Sequence, residues 1–275
     1  MKILNEFEEY LIKKGNAINT VETYVQQVKD FIRWYRINSD RDFENEMLRS
    51  NFLDHRKFLE SERGDSLSSL KVKTHALKNF NEFLIGQNYQ QYRVVLNKDV
   101  INLYESSLDI YIPTDEEIVE FSNRILREEG IRDYAIVILL KNTGLKISEC
   151  LKLKLDDVDL SGKRIKVRDN GNEVRVVPIN DDTVTVIKSY LKKRPNDLNI
   201  DYLFISKFKK EINRTRVNQI FNKHSETITP QTLRHYYCIK ELQKGTSVEK
   251  LAEKVGNISI QLTRKYEKLI QEIDT

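Results

Sequence analysis

Apolar residues in this chain recur with two different periods, and the contrast limits what it can fold into. Over most of its length they return every three or four positions, the spacing of helices with one buried face. One stretch departs from this. Arg164-Ile165-Lys166-Val167-Arg168 alternates, and so does Glu173-Val174-Arg175-Val176-Val177. Between them stands Asp169-Asn170-Gly171-Asn172, and Asn-Gly between alternating runs is a strong hairpin signal. The chain therefore reads as mainly α with a small β-sheet. It shows no glycine-rich phosphate loop, no internal repeat and no low-complexity tract.

The first hundred residues read as four helices. Phe7, Tyr10 and Leu11 stripe the first. Val21, Tyr24, Val25, Val28, Phe31, Ile32 and Tyr35 stripe the second, with Asn19 or Thr20 as its cap. Phe52, Leu53, Arg56 and Leu59 mark a third that ends before Gly64. Leu70, Thr74, Leu77, Phe80 and Leu84 mark a fourth, entered through Ser66 and Ser68 and closed by Gly86. Residues 87–112 lack periodicity and lead into Pro113-Thr114-Asp115-Glu116-Glu117. There proline stops the preceding segment, Thr114 caps, and the acids suit a helix N-terminus. The boundary is placed here, giving a four-helix domain over 1–105 and an α+β domain over 113–275. A helix over 132–142 is apolar on several faces, so it should be buried, and Gly144 ends it. Further helices are expected over 182–191, from Arg214, Thr232 and Val248, and around Tyr266.

At 275 residues, 39% hydrophobic and 32% charged, the chain reads as soluble and globular. No apolar run approaches the roughly 20 residues a membrane helix needs. The acidic, amphipathic start is unlike a signal peptide, so the expected location is the cytoplasm, with the nucleoid. Cys150 and Cys238 make no metal spacing and read as buried thiols, and His55, His75, His224 and His235 lack a zinc pattern. No metal or cofactor is expected. The net charge is only +4, but the cations cluster. Lys207, Lys209, Lys210, Arg214, Arg216 and Lys223 are interrupted by one acid, Glu211, and Arg264, Lys265 and Lys268 surround Tyr266. Such clustering is the footprint of a phosphate-binding face.

Three boxes make the reading specific. Thr143-Gly144-Leu145-Lys146-Ile147-Ser148-Glu149 resembles the first signature of tyrosine recombinases, the Xer and phage-integrase family. Thr229-Pro230-Gln231-Thr232-Leu233-Arg234-His235 resembles the second. Val255-Gly256-Asn257-Ile258, with Tyr266 nine residues after Asn257, resembles the third. The hairpin before Pro178 and the four-helix N-terminal part fit the family in order and spacing, the latter as its core-binding domain. The resemblance implies a site-specific DNA recombinase. Tyr266 would attack a phosphodiester, form a 3′-phosphotyrosine and release a 5′-hydroxyl, which rejoins through a Holliday junction. Bond energy is kept, so neither ATP nor a metal is needed. Arg234 would grip the scissile phosphate with a two-pronged fork. His235 reads as a packing or supporting residue.

Four positions depart from the family pattern. Lys146 stands for the first-box arginine, Asn170 for the hairpin lysine, Gln231 for the second-box histidine and Asn257 for the third-box histidine. Gln231 and Asn257 still donate hydrogen bonds to a phosphate oxygen but exchange no protons near neutral pH. Asn170 cannot act as a general acid, and Lys163, Lys166 and Arg168 are open alternatives. Lys146 keeps the charge and loses the fork, which should attenuate cleavage. A second reading follows from these changes: a catalytically weak relative that binds specific DNA sequences in an architectural role. A protein–protein adaptor would make the three boxes accidental. In the family the domains clamp a duplex, which would place Lys71, Lys73 and Lys78, the strand residues Lys166 and Arg168, and the stretch Lys207, Lys209, Lys210, Arg214 and Arg216 near phosphates. The helix-compatible tail over 267–275, with apolar Leu269 and Ile270, would dock on a neighbouring protomer. That implies a tetramer on two double-stranded sites, with room for accessory proteins and none for a membrane. The size resembles Xer-type and transposon-encoded resolvases.

Overall fold

The computed structural model describes residues 2–39, 42–100, 110–169, 172–195, 200–257 and 260–273, with the side chains at 169, 172–174, 261, 262, 268 and 271–273 outside that description. The chain divides into two compact units, 1–107 and 108–275. Among the described residues no helix is long and apolar enough to cross a membrane.

In the first unit α1 (Lys2–Lys13), α2 (Ile18–Asn38), α3 (Arg49–Ser61) and α4 (Leu67–Gly86) follow the four apolar stripes. Phe7, Phe31, Phe52, Phe80 and Leu84 are fully enclosed. Each such side chain contributes about 1.5–3 kcal/mol on burial. Phe7 meets Phe80 edge-on at 5.1 Å between centroids, a geometry that ring quadrupoles favour. Ser66 caps α4 by accepting from the Ser69 N–H. Two end signals differ from expectation. α2 begins at Ile18 behind Ala17, so Asn19 and Thr20 lie inside its first turn. The entry is instead fixed by the preceding turn, where the Asn16 amide donates to the Leu11 carbonyl. α4 does stop at Gly86, but Asn88 takes the left-handed conformation with φ 59°, which asparagine tolerates.

The second unit opens as expected. Thr114 Oγ1 accepts from the Glu117 N–H while the Glu117 carboxylate accepts from the Thr114 N–H, capping α5 (Asp115–Glu128). α6 (Ile131–Thr143) is buried from Ala135 through Leu140. It ends at Gly144, where φ is +62° and a Cβ would lie 2.4 Å from the Tyr237 ring, so both backbone and space require glycine. α7 (Ile147–Lys152) is too short to show a period in sequence. The sheet is antiparallel, in the order β1 (Val158–Asp159), β2 (Arg164–Asp169), β3 (Asn172–Pro178). Ile165 pairs with Val177 and Val167 with Arg175. The hairpin turn at Asn170 and Gly171 lies outside the described residues. α8 (Asp181–Lys193), α9 (Arg214–His224), α10 (Pro230–Gln243), α11 (Val248–Val255) and α12 (Gln261–Ile273) complete the unit. α10 starts two residues before the expected Thr232, because proline suits a first turn and Thr229 caps it. It is buried from Leu233 through Ile239, and it packs on both α6 and α12.

Candidate active site

The three boxes meet at the C-terminal end of α11. Its last carbonyls have no helical partners and carry the negative end of the helix dipole. Three cations from separate elements reach them. Arg175 Nε of β3 donates to the Lys254 carbonyl at 3.0 Å. Arg234 Nη2 of α10 donates to the Val255 carbonyl at 2.7 Å. Lys146 Nζ, at the start of α7, donates to the Gly256 carbonyl at 3.4 Å. Arg175 also donates both terminal nitrogens to Glu149, at 3.0 and 2.8 Å. Burial alone would raise the Glu149 carboxyl, but the Arg175 interactions outweigh it and hold it below its ordinary range. A Cβ at Gly256 would come 2.5 Å from Arg175 Nη1, so the third-box glycine makes room for this clamp.

Beside this knot lies a cleft of about 570 Å³, lined among others by Lys146, Arg214, Gln231, Arg234, Asn257, Lys265 and Tyr266. Five of the six expected catalytic residues are thus brought together; the sixth, Asn170, is outside the described residues. Arg234 is 5% exposed, and Nη1 donates to the Gly144 carbonyl at 2.7 Å while Nη2 also reaches Asn257 Oδ1 at 2.8 Å. Burial lowers its pKa. Asn257 Nδ2 donates to Thr263 Oγ1 at 2.9 Å. The guanidinium thus claims the Asn257 oxygen and Thr263 one of the two hydrogens on its nitrogen.

Tyr266 is 2% exposed, in a cluster with Tyr237, Cys238, Leu251, Val255 and Leu269. Burial, with the Cys238 sulfur adding to it, pushes its phenol well above the ordinary value against the opposing charge of Arg234. Its hydroxyl lies 2.7 Å from His235 Nδ1. The sequence points to His235 only as a packing or supporting residue, and this hydrogen bond is what sequence reasoning misses. Burial, then the charges of Lys265 and Arg234, bring His235 down to about 4. Gln231 sits one turn earlier on α10, with its amide nitrogen 3.3 Å from His235 Nε2. Lys265 lies with Nζ 5.0 Å from the Tyr266 ring centroid, its pKa lowered chiefly by burial. The apolar tail residues Leu269 and Ile270 pack against this same cluster of their own chain.

The expected DNA-facing cations divide. Arg214 lines the cleft, but Arg216 faces Glu129 at 3.8 Å, as does Lys223 at 2.7 Å. Lys207, Lys209 and Lys210 are exposed in the turn before α9. Arg168 pairs with buried Asp157 and Lys163 with Asp181, so each is drawn to a carboxylate. Lys166 is half-buried on β2. In the first unit Lys73 forms a shielded ion pair with Asp65, each side chain 12% exposed. Lys78 donates to Asn97 at 2.9 Å, and Lys71 is half-buried on α4.

Residues 114–272 match the phage integrase family, and residues 4–88 match the phage integrase N-terminal SAM-like domain. A TnP I resolvase of Bacillus thuringiensis is 33% identical over 273 residues, spanning 97% of this chain and 95% of the relative. Tyrosine recombinase XerA of Pyrococcus furiosus is 28% identical over 275 residues, spanning 96% and 88%. The fold is similar to that of the Tn1549 transposon integrase solved in complex with a circular intermediate DNA, with TM-score 0.73 and 20% identity over 96% of this chain and 94% of that one.

Proposed function

The chain belongs to the phage integrase family of tyrosine recombinases, and from that membership we propose that Tyr266 is the residue that attacks DNA. The protein is a site-specific DNA recombinase, which cleaves and rejoins DNA through a 3′-phosphotyrosine and a Holliday junction. The observation that carries the residue assignment is that Tyr266, Arg234, Lys146, Gln231 and Asn257 line one cleft.

During attack, negative charge builds on the non-bridging phosphate oxygens, and fixed donors aimed at them lower the barrier. Arg234 and Lys146 take that role, with Asn257 holding the Arg234 fork in place. Gln231, exposed at the cleft wall, is the amide that turns toward phosphate. Asn170 cannot supply the proton that the leaving 5′ oxygen needs. We assign that step to Lys265, because its ammonium lines the cleft beside Tyr266 and burial lowers its pKa from the ordinary lysine value. Arg214 and the exposed Lys207, Lys209 and Lys210 hold the flanking backbone, and Lys71, Lys78 and Lys166 add weaker interactions.

The substrate is a double-stranded recombination site. We further propose that 1–105 binds DNA and 113–275 cuts it, that four protomers act on two sites with room for accessory proteins, and that they do so in the cytoplasm. The deciding experiment uses a nicked DNA site that traps the covalent intermediate. The wild-type chain should give an adduct that survives denaturation, and Tyr266→Phe none. An adduct from the variant would move the nucleophile elsewhere.

A further inference from the structure

Position 231, which the second-box pattern fills with histidine, is glutamine here, which exchanges no proton, and a buried phenol is a poor nucleophile until something takes its proton. We infer that His235 is that group: it accepts the Tyr266 proton at Nδ1, while Gln231 fixes its ring from the other side. The proton acceptor thus stands one helical turn further along α10 than position 231, and the inference rests on Tyr266 being the nucleophile.

The geometry is direct. Nδ1 lies 2.7 Å from the phenolic oxygen, with the two rings inclined at 53°. Residues four apart share a helix face, which is how Gln231 reaches Nε2 at 3.3 Å. As placed, the amide nitrogen of Gln231 faces Nε2. Half a turn of the terminal amide puts its oxygen there instead. The oxygen then accepts Nε2–H, the ring takes the tautomer with a bare Nδ1, and that lone pair faces the phenol. Other groups near the phenol do not compete. Arg234 and Lys265 are cations, and Cys238, which also touches it, keeps its proton because burial pushes its thiol up to about 11. Burial, then the charges of Lys265 from α12 and Arg234 from its own helix, keep His235 neutral at physiological pH, with Tyr266 as its hydrogen-bond partner.

The step balances. Tyr266 Oη passes its proton to His235 Nδ1 as it bonds to phosphorus. The bond from phosphorus to the 5′ oxygen breaks, its electron pair stays on that oxygen, and the Lys265 ammonium protonates it. Rejoining reverses both transfers, and the imidazolium returns a proton to Tyr266 as it leaves. Burial of an imidazolium beside two cations is unfavourable, which keeps the transfer brief and reversible.

The test is single-turnover cleavage of a nicked site carrying either the ordinary phosphodiester or a 5′-bridging sulfur, a leaving group that needs no proton. His235→Asn keeps a hydrogen-bonding group near the phenol but accepts no proton. It should slow cleavage of both substrates by about 100- to 10,000-fold with DNA affinity unchanged. Its rate should climb about tenfold per pH unit through neutrality as hydroxide becomes the base, where the wild type is flat. Sulfur should rescue Lys265→Ala and leave His235→Asn slow. Should His235→Asn fail to fold, Gln231→Leu, an exposed change, should tilt the pH profile of both substrates in the same direction, which loss of a phosphate donor alone would not do. The inference is overturned if the variant that folds cleaves like wild type, or if sulfur rescues it. Adduct formation by Tyr266→Phe would sink the nucleophile assignment instead, so the two failures are distinct.

Discussion

Arg234 at the floor of the cleft and Arg214 at its mouth carry the same charge in different solvents. Arg234 is 5% exposed and bound to two backbone carbonyls and an amide oxygen. Arg214 begins α9 on exposed surface. A dehydrated cation must have every hydrogen bond met, so its position is over-determined and it acts through geometry. An exposed cation is screened and mobile, so it adds attraction without orientation. The floor should therefore govern rate and the rim affinity.

The sharpest break would come from Arg234→Met, which keeps length and removes the donors. It strands the Gly144 and Val255 carbonyls and Asn257 Oδ1, at about 1–3 kcal/mol for each buried acceptor left unmet. Thermal melting should drop by many degrees and cleavage should be abolished. The matching Arg214→Met should stay within about 0.5 kcal/mol of wild type. Equal melting temperatures for the two variants would erase the distinction. Lys146 is intermediate, exposed yet bonded to the Gly256 carbonyl. Arginine there restores two parallel donors, and one well-placed donor is worth roughly 3–4 kcal/mol, about a hundred- to a thousandfold in rate. Lys146→Arg should accelerate strand cleavage by that order with little change in DNA affinity. A neutral or slower variant would mean that the floor has been rebuilt around lysine.

The floor and the rim are not equally legible in sequence. The three boxes point to Tyr266, Arg234, Lys146, Gln231 and Asn257, and helical stripes mark the four N-terminal helices. Arg175 escapes a reading of its run as plain alternation. Val176 is in fact 46% exposed, and Arg175 pairs with buried Val167, so the arginine occupies the inward face. An arginine in phase with Ile165, Val167 and Val177 is the signal that could have found it. The Tyr266–His235 hydrogen bond has none, since the residues lie on separate helices and only packing joins them. The rim fails differently. Clustering in sequence marks charge but not direction, and neighbours two apart on a helix point to different sides. The carboxylate partners of Lys73, Arg168 and Arg216 are accordingly not legible in the sequence.

That difference in direction gives the smallest and cleanest test. Arg214 and Arg216 differ by two positions on α9, yet one lines the cleft and the other faces Glu129. Removing one cation that neutralises a phosphate lowers the slope of log affinity against log salt by about 1. Arg214→Ala should flatten the slope by that amount and weaken binding most at low salt. Arg216→Ala should leave the slope unchanged, since its guanidinium is engaged by a carboxylate that DNA would have to displace. Salt titrations of both variants on one duplex read this directly. Equal flattening would show that the Glu129 pair opens on DNA, and the rim would then act as one continuous basic face.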